Sequence, residues 1–177
     1  MISLVGGGER PKFSQNTLVV FDAVKQEPVI DITFGNPIRN TIMTRDTLIG
    51  ILEESVHVYS IPDGRLLLQG RTGSNPTGIA DFRSNKLVVP GHKTGSVHIY
   101  DIFSLREKKT SSPPIQIYAH QGPIACISLS TNGSKVATAS DKGSDQHNAA
   151  ICSNSIVICT FRHINQSMGY SFKTAFG

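Results

Sequence analysis

The sequence repeats one short pattern of strand-forming residues three times and begins it a fourth time. In each unit an apolar segment is followed by a turn and then by an alternating segment, which ends on Phe21, Tyr59 and Tyr100 in turn. These aromatic residues lie about 40 positions apart, a period typical of β-propeller blades. The fourth unit opens at residues 135–143, and no closing strand follows at the expected position. The repeat therefore predicts an all-β fold.

The length of the chain limits how much of a propeller it can form. Seven blades of ~40 residues need about 280 residues, whereas this chain has 177. We expect a partial β-propeller over residues 1–143, with about three four-stranded blades of the seven-bladed WD-repeat type. Turns at 45–46 and 62–64 bound the strands of the second unit, the first of them at 47–52.

Residues 144–177 lack the pattern of the first three units. We expect a divergent tail that is poorly ordered or loosely packed, although residues 156–158 could still pair as a strand. An incomplete propeller leaves apolar blade faces bare. The chain is therefore expected to be marginally stable, or to depend on a partner that supplies blades.

Composition and charge exclude several classes of protein. The 17 basic and 13 acidic residues give a net charge of +4, and no basic stripe interleaved with aromatic residues is present. This pattern argues against nucleic acid as a partner. Three cysteines with no framework spacing indicate reduced thiols in the cytosol. Because the apolar segments are too short to span a bilayer, we expect a cytoplasmic protein whose membrane contact is peripheral.

No arrangement of residues indicates catalysis or a metal site. Neither a Ser/His/Asp set nor paired carboxylates are signalled, so we expect no enzyme activity and no cofactor. His147, Cys152, Cys159 and His163 are separated by four, six and three residues. That spacing fits no structural zinc pattern, and no metal is predicted.

Two other features have structural interpretations. The three glycines at 6–8 are followed by no helix signal and no Gly-Lys-Ser/Thr sequence, so they predict a turn or bulge rather than a phosphate-binding loop. His57 and His98 occupy equivalent places in alternating strands. This recurrence indicates a role set by the repeat rather than a catalytic one.

Several short segments carry a more specific likeness when they are taken in order. They are residues 4–8, 11–12 and 16–22; 38–39 and 45–46; 76–79; 89–91 and 94–97; 119–120; and 124–127 with 135–143. Together they resemble the PROPPIN family, the phosphoinositide-binding β-propellers of autophagy that include the WIPI proteins. The likeness covers about residues 2–143.

The resemblance implies a function and a set of site residues. PROPPIN proteins are seven-bladed propellers that bind phosphatidylinositol 3-phosphate and phosphatidylinositol 3,5-bisphosphate in two shallow rim pockets beside a Phe/Leu-Arg-Arg-Gly motif. The positions that match the first pocket are His120, Ser140, Lys142 and Ser144, the last where the family usually has threonine. Imidazole, hydroxyl and ammonium groups can all donate hydrogen bonds to phosphate oxygens.

The same resemblance implies where the protein acts and with what. We expect peripheral association with pre-autophagosomal or endosomal membranes, and autophagy proteins bound through blade loops. The sequence departs from the family in having no Arg-Arg pair, so we expect impaired lipid binding. Two alternatives remain open: a protein-binding scaffold without a lipid role, and a non-functional truncated product. The polar insertion at 105–114 is expected to be an exposed loop, either a tolerated insertion or an interaction site.

Overall fold

The computed structural model describes residues 1–7, 9–107 and 113–140, together with the strands at 156–164 and 167–175. These residues form antiparallel sheets in two compact units, one from Met1 to Gly78 and the other from Ile79 onward. In every sheet, consecutive strands of the chain are neighbours. The predicted all-β class is confirmed.

The first unit contains a three-stranded and a four-stranded sheet. The strands are β1 (Ile2–Val5), β2 (Thr17–Asp22) and β3 (Glu27–Thr33), followed by β4 (Ile38–Met43), β5 (Thr47–Leu52), β6 (Ser55–Ser60) and β7 (Leu66–Arg71). The sequence predicts four strands in each unit of the repeat, and the described residues of the first sheet supply three. The predicted strand at 47–52 coincides with β5.

The second unit contains two four-stranded sheets. The strands are β8 (Asp81–Arg83), β9 (Lys86–Pro90), β10 (Ser96–Asp101) and β11 (Ile115–Tyr118), followed by β12 (Ile124–Leu129), β13 (Lys135–Ser140), β14 (Ile156–Ile164) and β15 (Ser167–Ala175). Strand β14 pairs with β13, with Ile156 opposite Ala139. A closing strand is thus present within the predicted tail. The boundary at residue 143 and the packing of the tail stay predictions.

The second strands of two four-stranded sheets, β5 and β9, show why these segments fold as they do. All six residues of β5 are buried, and so are four of the five residues of β9. A strand that is covered on both faces needs a nearly continuous apolar sequence, which both segments have. By contrast β6 alternates between half-buried and buried residues, as its alternating sequence predicts. The apolar core of the second unit includes Val88, Val97, Ile99, Ile117, Ile127, Leu129 and Val136.

A short helix, α1 (Ile102–Arg106), begins directly after β10. The Asp101 carboxylate caps it by accepting from the Ser104 backbone N–H at 3.4 Å, and it also pairs with the Lys86 ammonium at 2.6 Å. The buried Ile102 holds the helix against the sheet. The insertion that was predicted as a loop therefore begins inside a helix, and residues 108–112 of it lie outside the described residues.

Strand β8 is shorter than the sequence pattern indicates. Alternation favours a strand over 77–82, but the strand begins at Asp81 because Gly78 adopts a left-handed φ of +68°. Here the Asn40 amide donates to the Gly78 carbonyl at 3.0 Å, and a β-carbon at Gly78 would lie 2.6 Å from Asn40 Cβ. The glycine lets the segment after β7 approach β4.

Candidate functional site

The backbone around His120 is held by the turn between β9 and β10. The Gly95 carbonyl accepts hydrogen bonds from the backbone N–H groups of both Ala119 and His120, each at 3.0 Å. Gly95 has a φ of +73°, and a β-carbon there would collide with the His120 carbonyl. Only glycine meets both conditions. The turn therefore fixes where the His120 backbone lies.

The His120 side chain is half-buried and bonded to the neighbouring sheet of the second unit. Its Nε2 lies 2.9 Å from the Thr138 hydroxyl, which belongs to β13 and is 3% exposed. Burial lowers the pKa of His120 below its usual value, and a hydrogen bond to the Thr138 backbone partly offsets that effect. The imidazole is therefore mainly neutral at pH 7, and a nearby anion would favour its protonation.

Ser140 lies on the same strand as the partner of His120. It is the last residue of β13, is buried, and pairs with Ile124 at the start of β12. Because successive side chains of a strand point to opposite faces, Thr138 and Ser140 share one face, roughly 7 Å apart along the strand. The structure thus places His120 beside the strand that carries Ser140.

The other two predicted site residues, Lys142 and Ser144, lie outside the described residues. They follow Ser140 in the chain by two and four positions. Whether the four residues converge on one ligand therefore stays a prediction.

Sequence reasoning missed two groups near His120. Thr138 was not singled out, although it is the hydrogen-bond partner of His120. Lys93, in the turn that contains Gly95, places its ammonium 5.6 Å from the ring centre of the exposed Tyr118. The signal available in the sequence was the basic pair His92-Lys93 in a turn of the repeat.

The same local structure occurs in the second sheet with different side chains. There Ile38, the first residue of β4, pairs with Leu52. In the same way Ile124, the first residue of β12, pairs with Ser140. In both sheets a register shift follows directly after this pair. Phe34 lies four residues before Ile38, as His120 lies four before Ile124. The repeat therefore contains two equivalent corners, called here the Phe34 corner and the His120 corner.

The ring at each corner faces the equivalent residue of the second strand. In the Phe34 corner this residue is Gly50, where a β-carbon would lie 3.0 Å from Phe34 Cζ. In the His120 corner it is Thr138, whose hydroxyl bonds the imidazole. An apolar ring over a glycine is thus replaced by a polar ring bonded to a hydroxyl.

The histidines at equivalent strand positions have structural surroundings. His57 is half-buried, its ring meeting the Phe34 ring edge-on at 5.0 Å, and its Nε2 lies 3.2 Å from the Ser55 hydroxyl. His98 is buried and contacts Tyr100 in the same edge-on manner. Burial lowers the pKa of both, and the charge of His92 adds to the effect at His98. These contacts agree with a role set by the repeat.

The remaining sequence motifs yield no further site. Gly6 and Gly7 follow β1, and the next element is the strand β2 rather than a helix; Gly8 lies outside the described residues. The side chains of His147, Cys152, Cys159 and His163 also lie outside them. Within the part of the chain that the structure describes, no cluster of three or more histidine, cysteine or acidic side chains could hold a metal ion. None of the described helices is long and apolar enough to cross a membrane.

Comparison with known proteins places this geometry in a family. The PROPPIN family profile matches residues 8–166. SVP1-like protein 2 of Emericella nidulans is 34% identical over 144 residues, covering 80% of this chain and 43% of that protein. Autophagy-related protein 18 of Dictyostelium discoideum is 30% identical over 147 residues, covering 81% and 38%.

A solved structure shows the same fold. KlAtg21, determined in complex with the coiled coil of AgAtg16, superposes with a TM-score of 0.62 at 20% identity, covering 93% of this chain and 49% of KlAtg21. The predicted partial propeller is thereby confirmed. The chain spans about two fifths of the length of the two relatives above. It belongs to the PROPPIN family.

Proposed function

We propose that this chain recognises phosphoinositides at membrane surfaces, with the His120 corner as its anion-binding site. The ligands are phosphatidylinositol 3-phosphate or phosphatidylinositol 3,5-bisphosphate. The observation that carries the proposal is the contact between His120 and Thr138 at 2.9 Å, which places an imidazole beside the strand leading to Ser140 and Lys142. Family membership supports the same ligand class.

The chemistry of the corner suits a phosphate monoester. Hydroxyl and ammonium groups donate to phosphate oxygens, and a protonated imidazole adds a positive charge. The net charge of +4 attracts the chain to an anionic surface. Since burial lowers the pKa of His120 and a bound phosphate would raise it, binding should strengthen as the pH falls from 7.5 towards 6.

The chain has no Arg-Arg pair, and this affects the expected affinity. A guanidinium group binds phosphate through two parallel hydrogen bonds, whereas imidazole and ammonium groups bind through single ones. We therefore expect weak binding that depends on avidity at a membrane. We also expect the protein to act by binding rather than by catalysis.

Vesicle flotation tests the proposal directly. The chain is mixed with neutral vesicles that contain phosphatidylinositol 3-phosphate, or with vesicles brought to the same surface charge by phosphatidylserine. We expect flotation with the phosphoinositide vesicles and much less with the phosphatidylserine vesicles. His120→Gln should reduce flotation because it removes the imidazole and its charge.

His57→Gln is the matched control. His57 is also half-buried with a pKa lowered by burial, but it lies in the first unit against Phe34. This variant should float as the original chain does. Equal flotation with both kinds of vesicle, or equal loss in both variants, would contradict phosphoinositide recognition at His120.

A second function, binding of autophagy proteins through blade loops, has one specific observation in its favour. The similar structure of KlAtg21 was determined with a coiled-coil partner. Protein binding that persists in His120→Gln, with no preference for phosphoinositide vesicles, would favour this scaffold function. Either function is compatible with a cytoplasmic protein that associates peripherally with pre-autophagosomal or endosomal membranes, which imaging of a fluorescent fusion with and without H120Q would test.

A further inference from the structure

A polar cavity of about 280 Å³ lies in the first unit, at the Phe34 corner. It is lined by Asn36, Pro37, Arg39, Glu53 and Glu54. Small-molecule sites begin at about 300 Å³. The cavity is therefore of a size for one side chain or a similarly small group rather than for a cofactor.

Backbone hydrogen bonds hold both walls of this cavity. On one side, Phe34 N–H donates to the Asn16 carbonyl at 2.8 Å and Ile38 N–H donates to the Gln15 carbonyl at 2.9 Å, so the segment carrying Asn36 and Pro37 is fixed at both ends. A preformed site loses little conformational entropy when a ligand binds.

The opposite wall is fixed in the same way. The turn between β5 and β6 consists of Glu53 and Glu54. The Glu54 carbonyl accepts from Thr72 N–H at 3.0 Å, and the Glu53 carbonyl accepts from Asn75 N–H at 2.8 Å. Asn75 is 1% exposed, so this support is buried. The carboxylates therefore project from a backbone that is already in place.

The charges of the cavity select the ligand. The Arg39 guanidinium donates to the Glu53 carboxylate at 2.8 Å, which neutralises that pair. Among the described residues, the Glu54 carboxylate and the Asn36 amide have no hydrogen-bond or ion-pair partner. The cavity thus carries one net negative charge with an amide oxygen near it, and an anion would be repelled.

The sequence of the other repeat has the opposite charge at the matching position. Gly122-Pro123-Ile124 corresponds to Asn36-Pro37-Ile38, and Ser140 corresponds to Leu52. Two residues further along the chain, the sequence has Lys142 in one repeat and Glu54 in the other. The Phe34 corner is therefore suited to cations.

We propose that the cavity at the Phe34 corner binds a basic side chain of a partner protein, an arginine in the best case. A guanidinium group can bond the Glu54 carboxylate through two parallel hydrogen bonds and donate a further one to the Asn36 side-chain oxygen. The Pro37 ring offers an apolar surface to the methylene stem of the side chain.

Nuclear magnetic resonance titration of the whole ¹⁵N-labelled chain tests this proposal. The probe is the capped peptide acetyl-Gly-Arg-Gly-amide, and its neutral counterpart contains citrulline in place of arginine. We expect saturable shifts at the Asn36 and Glu54 amides with the arginine peptide, in the millimolar range, and none with the citrulline peptide. Glu54→Gln should weaken binding about threefold to fivefold, whereas Glu27→Gln, an exposed change in β3, should leave it unchanged.

Three results would overturn the proposal. They are equal shifts with both peptides, shifts spread over the surface without saturation, and unchanged binding in E54Q. Because the exposed Glu54 side chain is not part of the core, E54Q should fold, and the dispersion of its spectrum shows whether it does. Vesicle flotation is independent of this titration, so the two proposals can fail separately.

Discussion

The Phe34 corner and the His120 corner share one backbone arrangement and differ in chemistry. In both, a Pro-Ile pair opens the first strand of a sheet, a register shift follows, and a ring lies over the second strand. The ring is apolar and buried over Gly50 in one corner, and it is an imidazole bonded to Thr138 in the other. The repeat thus supplies a fixed frame, and a few substitutions change the chemistry at the ring.

The backbone at the two corners is held by the same hydrogen bond. Phe34 N–H donates to the Asn16 carbonyl at 2.8 Å, and His120 N–H donates to the Gly95 carbonyl at 3.0 Å. Asn16 directly precedes β2, and Gly95 directly precedes β10. The difference between the corners therefore lies in side chains, and substitutions can test it.

The largest effect is expected from Gly50→Thr, which gives the Phe34 corner the residue found in the His120 corner. A β-carbon at Gly50 would lie 3.0 Å from Phe34 Cζ, so the larger threonine forces the ring to move. We expect a loss of about 1–3 kcal/mol in the free energy of unfolding, measured with urea. The double variant with Phe34→Ala should lose less than the sum of the two single variants; additive losses would show that ring and strand residue are not coupled.

The next effect is expected from Thr138→Val, which keeps the shape of the side chain and removes its hydroxyl. Loss of the bond to His120 should cost about 1 kcal/mol of unfolding free energy. The pKa of His120 should stay lowered, because the variant keeps both the burial that lowers it and the Thr138 backbone hydrogen bond that partly offsets the burial. Urea unfolding measures the loss of stability.

Thr41→Val is the control for that experiment, since Thr41 also bonds a hydroxyl, that of Ser3 at 3.3 Å, but lies in the first unit. It should cost less stability than T138V, because the bond between the Thr41 and Ser3 hydroxyls is longer than the bond between the Thr138 hydroxyl and His120. A loss in T138V no larger than the loss in T41V would show that the bond to His120 adds no measurable stability.

The smallest effect is expected from Glu53→Gln at the Phe34 corner. The Arg39–Glu53 pair is short, at 2.8 Å, but both side chains are more than one third exposed, so solvent screens it. We expect a loss of about 0.5 kcal/mol or less in urea unfolding. Asp63→Asn, which weakens the longer contact to Arg65 at 3.7 Å, should lower stability by no more than Glu53→Gln does. A much larger loss in E53Q alone would mean that the pair holds the cavity together.

Much of the fold could be predicted from the sequence because strand alternation and turn residues are local signals. The apolar segment 47–52 and the turns around it predict β5, and the recurring aromatic residues predict the blades. The strand β14 was harder to predict, since residues 141–155 separate it from β13 in the sequence and interrupt the repeat of the first three units. The late start of the strand predicted at 77–82 depends on the contact of Gly78 with Asn40, which local sequence does not show.

The candidate site was only partly predictable. The resemblance points to His120 and Ser140, but Thr138 becomes visible only when β13 is placed beside the segment after β11. The Phe34 corner was missed because its correspondence with the His120 corner depends on the pairing of Ile38 with Leu52 and of Ile124 with Ser140. The repeated Pro-Ile pair, at 37–38 and 123–124, was the available signal.

The central claim is that one frame recognises an anion at the His120 corner and a cation at the Phe34 corner. The most direct test is a pair of nuclear magnetic resonance titrations on the same labelled chain, one with inositol 1,3-bisphosphate and one with the arginine peptide. The account predicts that the bisphosphate shifts the His120 and Ser140 amides and leaves Asn36 and Glu54 unchanged, and that the peptide does the reverse. Shifts of the same corner by both ligands, or no shift at His120 with the bisphosphate, would contradict it.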